Sequence, residues 1–406
     1  MKIPFSPPFI DQDVISEVVD TLQSGWITTG PKVKALEDEV AKLSGVSHAL
    51  CVNSWTSGAI LVLKWFGIKE GDEVIIPAYT YSATALAVLH CGGTPVMVDV
   101  NEDFTANVDL IKAAITGKTK IIMPVDIAGL PCDYDAVNEL VTDPEILAKF
   151  NPASENQKKL GRILVISDAA HSIGAFYKDR PSGALTDITI FSFHAVKNIT
   201  TAEGGAICLK LPKPFDNGEE YRTMRLWTLN GQTKDAFTKS QGGGNSWKYD
   251  IVFQGLKINM PDLCAAIGLA QIGKYEGGII PERKRIAERY HEYFSQKDWA
   301  QLPVIKDVNR TSCYHLYALR IKGITEEQRD EMMIHIGETG VSVNVHFIPM
   351  PMLTLFKNLG YDIKNYPVSF DNYSREISLP IYPQLSDEQV DFICQTIEEA
   401  YLKVIG

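Results

Sequence analysis

Apolar residues in "DQDVISEVVDTLQSG" (residues 11–25) recur at helical spacing, with Val14, Ile15, Val18, Val19 and Leu22 behind a capping Asp11 and ahead of Gly25. That spacing predicts an amphipathic helix. "PKVKALEDEVAKLSG" repeats the design, with Pro31 at the start and Gly45 at the stop. The rhythm then alternates between short continuous apolar runs and helical patterns. "HALCV", "DEVIIP", "TPVMVDV" and "KIIMPVDI" read as strands, separated by helices in "SGAILVLKWFG", "YSATALAVLHCG" and "NVDLIKAAI". Strands that are apolar on both faces fit a parallel sheet covered by helices on each side.

A polar insertion, "NPASENQKKLG", precedes two further strand runs, "RILVISDAA" and "DITIFSFHAV", and "GGAICLK" closes the strand-rich part. Residues 211–255 read as irregular and polar, with "QGGGNS" as a loop. The triple glycine there follows no strand and opens no helix, so it is no dinucleotide fingerprint. Helices resume in "MPDLCAAIGLAQIGKYEGG" and "PERKRIAERYHEYFS", and the last ~95 residues alternate strand and helix as a smaller α+β unit. The expected organisation is a large α/β domain over 1–280, with a mostly parallel central sheet flanked by helices, and a small C-terminal domain over 281–406.

Composition narrows the class. The chain has 406 residues, 45% hydrophobic and 22% charged, as in a globular domain, and a formal net charge of −11. That charge repels nucleic acid and acidic membranes and leaves phosphate ligands to local donors. No segment reaches the length of a membrane span and the N-terminus lacks a signal-like apolar core, so a cytoplasmic protein is expected. Seven scattered cysteines without a CxxC pair read as small buried hydrophobes in a reducing compartment. The eight histidines show no metal-binding spacing.

Ligands of open α/β sheets gather beyond the carboxyl ends of the strands, and four stretches at such ends carry chemistry. In "VNSWTSGA", Thr56 and Ser57 open a helix, which serves either as a plain cap or as an anion cradle. In "IPAYTYSATA", Tyr79 and Tyr81 are either core or an aromatic plate. In "ILVISDAAHS", Asp168 ends a wholly apolar strand, where a carboxylate needs a cation or donors, and His171 follows three residues later. In "SFHAVKNITTAEGG", Ser192 and Lys197 follow the next strand. A cradle, a plate, a carboxylate and a lysine are together what pyridoxal phosphate requires: an amine for its aldehyde, an acid for its ring nitrogen, donors for its phosphate.

The chain resembles the DegT/StrS family of pyridoxal-phosphate sugar aminotransferases, which have the aspartate-aminotransferase (type I) fold. The match rests on "GWITTGPKVKALE", "NSWTSGAILVL", "GDEVIIPAYTYSATALAV", "SDAAHSIGA", "DITIFSFHAVKNITTAEGGAI", "GLKINMPDLCAAIGLAQI", "VHFIP" and "ISLPIYPQLSDEQV". The resemblance implies Lys197 as Schiff-base lysine and proton shuttle, Asp168 at the pyridine nitrogen and His171 beside the ring oxygen. It implies Tyr81 stacked on the ring, and Thr56, Ser57 and Ser192 on the phosphate. Lys257, in "GLKINM", stands where members reach a partner subunit's cofactor phosphate with asparagine, and Trp55 stands at a usual glycine. His346 and His194 are candidates for substrate contact, Tyr314 and His315 weaker ones. The expected substrates are glutamate and a nucleotide-linked keto-sugar, a 4-keto-6-deoxy sugar first, in polysaccharide assembly. The expected assembly is a homodimer with active sites at the interface. A keto-inositol acceptor is the alternative within the enzyme class, and a non-catalytic pyridoxal-phosphate regulator the alternative outside it. Members that act as dehydratases replace the lysine with histidine, so Lys197 favours transamination.

Overall fold

The computed structural model describes residues 1–234 and 247–406. Seven strands form the central sheet: β1 (His48–Val52), β2 (Glu73–Pro77), β3 (Thr94–Val98), β4 (Thr119–Ile122), β5 (Leu164–Asp168), β6 (Ile188–Ser192) and β7 (Gly205–Leu209). Their spatial order is β1-β7-β6-β5-β4-β2-β3. β7 runs antiparallel to both β1 and β6, while β2, β3, β4, β5 and β6 pair in parallel. Nearly every residue of these strands is buried, which is why they read as continuous apolar runs.

Helices cover both faces, and their termini follow local chemistry. Helix α1 (Gln12–Gln23) is capped by Asp11, and α2 (Pro31–Ser44) has proline in its first turn and Gly45 in the left-handed conformation at its end. Helix α3 (Trp55–Phe66) starts at a Ser54 cap and stops at left-handed Gly67. Of the apolar face expected on α1, only Val14 is buried, whereas Ile15, Val19 and Leu22 are exposed.

Four helices fall where the sequence pattern is silent or reads as polar and irregular: Tyr134–Thr142, Pro144–Lys149, Glu155–Leu160 and Asn217–Thr228. Each starts at a side-chain cap, from Asp133, Asp143, Ser154 and Asp216 respectively. The last two bury few apolar residues, so capping carries a signal that hydrophobic periodicity lacks. The expected "QGGGNS" loop lies outside the described residues.

A second core gathers Ile286, Tyr290 and Phe294 of Ile280–Phe294 with Tyr317, Leu319 and Ile321, Ile377 and Leu379, and Val390, Ile393 and Ile397 of the last helix, Asp387–Val404. Ile3, from the opposite end of the chain, is fully buried in it. A three-stranded sheet runs through this core: β8 (Ala300–Gln301), β9 (Tyr317–Ile321) and β10 (Glu376–Leu379), in the order β8-β9-β10. No helix among the described residues is long and apolar enough to cross a membrane. All seven cysteines are unpaired and six are buried.

The junction of β6, β7 and α3 fixes how the sheet meets the site. Gly205 pairs with Ser192, and a Cβ there would lie 2.7 Å from the Phe191 oxygen and 2.9 Å from the Trp55 nitrogen. Both neighbours are backbone, so neither can swing aside. Gly205→Ala is therefore expected to destabilise the protein by about 1–3 kcal/mol, the usual cost of overpacking, read as a lower denaturant midpoint. A midpoint equal to wild type would show that this approach is not close-packed.

Candidate active site

The carboxyl ends of β1, β2, β5 and β6 converge on a cavity of about 470 Å³. Thr56, Tyr81, Asp168, His171, Ser192, His194, Lys197 and His346 all line it, together with Phe5, Thr84, His315 and Phe347. Among the described residues the lining contains one lysine and no arginine.

Lys197 lies in a loop that is held at many points. Its amide donates to the His194 oxygen at 2.9 Å, and the Phe193 oxygen accepts from the Thr201 amide at 2.9 Å and the Thr200 hydroxyl at 3.1 Å. The neighbouring Asn198 side chain donates to the Cys313 oxygen at 2.8 Å. Among the described residues the Lys197 amine itself makes no hydrogen bond or ion pair. Burial brings it down to about 8, with the Asp168 charge opposing.

Asp168 closes β5 and is 3% exposed. One carboxyl oxygen accepts from the Thr84 hydroxyl at 2.7 Å and the other from the Ala170 amide at 3.3 Å. Burial pushes it up to about 7, against the lowering effect of Thr84, Ala170 and the Lys197 charge. A buried acid with two neutral donors and no ion pair suits a cationic ring nitrogen as its missing partner.

At the other end of the cavity Ser54 caps α3 by accepting from the Ser57 amide at 3.1 Å. Helical geometry leaves the first-turn amides of Trp55 and Thr56 without intrahelical acceptors, beside the Thr56 side chain, Ser192 and Gly204 in the lining. Donors and a helix dipole end together suit a phosphate. Ser57, expected beside Thr56 on the phosphate, is not in the lining, because its amide and hydroxyl are both engaged by Ser54. The residues present thus fit pyridoxal phosphate: an amine, an acid and an anion cradle in one cavity.

The two tyrosines of "AYTYS" separate. Tyr79 is fully buried and donates to the His346 oxygen at 2.7 Å. Tyr81 faces the cavity but is 62% exposed, its ring 5.7 Å from that of Phe347. His171 packs against His315 at 4.3 Å between ring centroids, and its buried Nδ1 has no hydrogen-bond partner among the described residues. Burial, reinforced by the Lys197 charge, holds His171 well below its ordinary value. His194 is exposed at the mouth, 3.7 Å from Glu203. Lys257 is exposed outside this chain's cavity, bonded to Asn259; its expected reach is toward another subunit.

His315, a weaker candidate from sequence, is central here. Its Nδ1 lies 2.9 Å from Asn198 Oδ1. Since Asn198 donates through its amide nitrogen to Cys313, the imidazole donates and the amide oxygen accepts. Burial, then His171 and Lys197, keep His315 well below its ordinary value. Left-handed Gly129 (φ +91°) makes room for this wall, since a Cβ there would lie 2.6 Å from Cys313 Sγ and 3.0 Å from the His171 oxygen. Thr84, Phe5 and Phe347 were not singled out by sequence. The only signal for Thr84 is a hydroxyl inside an apolar helix, and Phe5 lies in the unpatterned N-terminus.

One expectation follows for the cofactor-free protein. Reductive methylation of Lys197, followed by peptide mass spectrometry, should rise with pH to half-maximum near 8, below the value of about 10.4 for an ordinary lysine. Asp168→Asn removes the charge that opposes the shift, so the half-maximum should move lower still. A wild-type half-maximum at 10 or above would contradict the buried setting.

Comparison with known proteins agrees with this geometry. The model of the DegT/DnrJ/EryC1/StrS aminotransferase family matches residues 8–398. The spore coat polysaccharide biosynthesis protein SpsC of Bacillus subtilis is 37% identical over 405 residues, covering 98% of this chain and 96% of SpsC. Spr1654 of Streptococcus pneumoniae, described as a sugar aminotransferase and solved in a pyridoxal-phosphate form, is 42% identical with a TM-score of 0.94, covering 100% of each chain. Helicobacter pylori PseC, an aminotransferase of pseudoaminic acid biosynthesis, is 25% identical with a TM-score of 0.85, covering 99% of this chain and 100% of PseC. The chain is a member of the DegT/DnrJ/EryC1/StrS aminotransferase family, a pyridoxal-phosphate-dependent transaminase of fold type I.

Proposed function

We propose that the enzyme transfers an amino group from glutamate to a keto-sugar carried on a nucleotide, a 4-keto-6-deoxy sugar, yielding an amino-sugar nucleotide for polysaccharide assembly. The observation that carries the reading is the meeting of Lys197, Asp168 and the start of α3 in one cavity. Beside aliphatic residues such as Val125, Ile127 and Leu316, its walls carry Phe5, Tyr81, His315, His346 and Phe347. Such walls offer flat apolar faces and neutral hydrogen-bonding groups, which suit a sugar ring. The descriptions of Spr1654 as a sugar aminotransferase and of SpsC in spore coat polysaccharide biosynthesis support the substrate class.

Bound pyridoxal phosphate supplies an aldehyde for amine exchange and a ring that takes up electrons from a carbon losing its proton. Asp168 holds positive charge at the ring nitrogen from a site where water does not compete. Thr56, Ser192 and the first amides of α3 would hold the phosphate. Lys197, when its amine is released, is a base brought near the working pH by burial, and it would take the proton from the donor's α-carbon. In the second half-reaction the same amine would give a proton to the sugar carbon that receives the amino group. The pinned loop 193–201 keeps it within reach of both. His171, at the cavity wall, is placed to meet the ring oxygen.

The same reading includes a homodimer. Among the described residues one chain's cavity is lined by no arginine and by the reactive lysine alone for anionic groups, and in the proposed dimer Lys257 of the partner subunit would add a cation for the phosphate. Exposed Ile15, Val19 and Leu22 on α1, with Trp247, Ile251 and Val252, supply apolar surface for such an interface.

The test is direct. The loaded enzyme, glutamate and a nucleoside-diphosphate 4-keto-6-deoxyhexose should give 2-oxoglutarate and an amino-sugar nucleotide by mass spectrometry. Lys197→Ala should lower the rate by about a thousandfold or more. Consumption of glutamate without any aminated sugar nucleotide would overturn the substrate assignment.

A further inference from the structure

His346 is held more firmly than a pocket-lining side chain requires, and the holding groups come from both cores. Its backbone oxygen accepts from Tyr79, just beyond the end of β2, at 2.7 Å. Its amide donates to Glu376 Oε2 at 3.0 Å, and its ring Nδ1 lies 2.9 Å from Ser378 Oγ. Ser378 in turn hydrogen-bonds Glu376 Oε1. Glu376 and Ser378 are fully buried on β10. Phe5 stacks on the imidazole at 5.3 Å and Phe347 meets it edge-on at 5.0 Å. The ring is thereby fixed in the cavity wall opposite the cofactor-binding strand ends.

We propose that Glu376, acting through Ser378, determines which ring nitrogen of His346 carries the proton and so how this residue meets the oxygens of the sugar acceptor. The proposal rests on the sugar-acceptor reading above and assigns Glu376 and Ser378 as positioning residues for that half of the reaction. With Glu376 ionised, its two oxygens accept from the His346 amide and the Ser378 hydroxyl. Ser378 Oγ then accepts from Nδ1–H, and Nε2 is left as an acceptor. The Asn344 amide nitrogen, 3.5 Å from Nε2, suits that arrangement. An acceptor nitrogen in the wall selects a sugar hydroxyl, which takes the place of the long Asn344 contact at the single lone pair of Nε2. Adding a proton to Glu376 Oε1 reverses the two side-chain bonds while the His346 amide still donates to Oε2: the acid donates to Ser378, Ser378 donates to Nδ1, and Nε2 becomes a donor.

The surroundings let this chain operate near neutral pH. Burial raises Glu376 to about 8, opposed by Ser378, the His346 amide, Arg329 and Arg320, and the Tyr79 hydroxyl also feels its charge. His346 is brought down to about 4 by burial and then by the Lys197 charge, so the ring is neutral across that range.

The experiment has two arms on the loaded enzyme. In histidine-selective ¹⁵N NMR at pH 9, with the His346 signal assigned by its loss in His346→Gln, wild type should carry the proton on Nδ1. Glu376→Gln imitates the protonated acid, because its amide must donate to Ser378, and should move the proton to Nε2. The same tautomer in both proteins overturns the proposal. In the kinetic arm, bleaching of the cofactor's visible absorbance by glutamate is compared with its return on adding the keto-sugar nucleotide. Ser378→Ala should lower the ratio of acceptor-half to donor-half rate constants about tenfold, and Ser378→Thr, which keeps the hydroxyl, should restore it. Equal loss in both halves, or identical Ala and Thr variants, shows a structural role only and also overturns it. If wild type aminates no sugar nucleotide, the substrate reading fails while the tautomer arm still decides the relay.

Discussion

A buried acid and a half-buried amine, close enough to act on each other and not paired, form the constraint on which the rest depends. Asp168 and Lys197 each shift toward neutrality through burial, and each is the other's opposing charge. A salt bridge would quench both groups. A cavity between them leaves Asp168 to two neutral donors and Lys197 without a partner among the described residues, so a ligand with a cationic end and an electrophilic carbon completes the set. The fold maintains this tension because each group follows a strand that cannot move: β5 lies between β4 and β6, and β6 pairs with β7 along its full length.

Around that pair the wall is assembled from distant parts of the chain. Arg283, 3% exposed, donates to the oxygens of Tyr314, His315 and Ile381. It spends a buried guanidinium on fixing the segment that carries His315. Asn198, next to the reactive lysine, ties that segment to the lysine loop through Cys313 and His315. Tyr79 ties the end of β2 to His346. The two cores therefore meet through polar bonds at the site, and a change in their relative position would be felt first by the imidazoles.

Much of this was legible in the sequence. Strands of a covered parallel sheet must be apolar on both sides, so "ITIFS" and "LVISD" announce themselves, and Asp168, Ser192 and Lys197 stand at their ends. The Glu155–Leu160 and Asn217–Thr228 helices were not legible, because caps rather than an apolar stripe define them. The reach of Thr84 to Asp168, 84 residues away, leaves no trace in local pattern. Nor does the engagement of Ser57 by Ser54, since a Ser/Thr cluster at a helix start serves as cap or as ligand cradle with the same letters. Glu376 and Ser378 sit in "REISLPIYP", where strand alternation alone assigns them no partner. What sequence supplied was the chemistry at strand ends; what it withheld was the set of long-range bonds that aim it.

The central claim is that the cofactor's aldehyde is joined to one particular amine in this cavity. Borohydride reduction of the loaded protein, proteolysis and mass spectrometry test it most directly. The account predicts a phosphopyridoxyl group on the peptide containing Lys197 and on no other. The label on a different lysine, or a loaded protein that takes up no label, would contradict it.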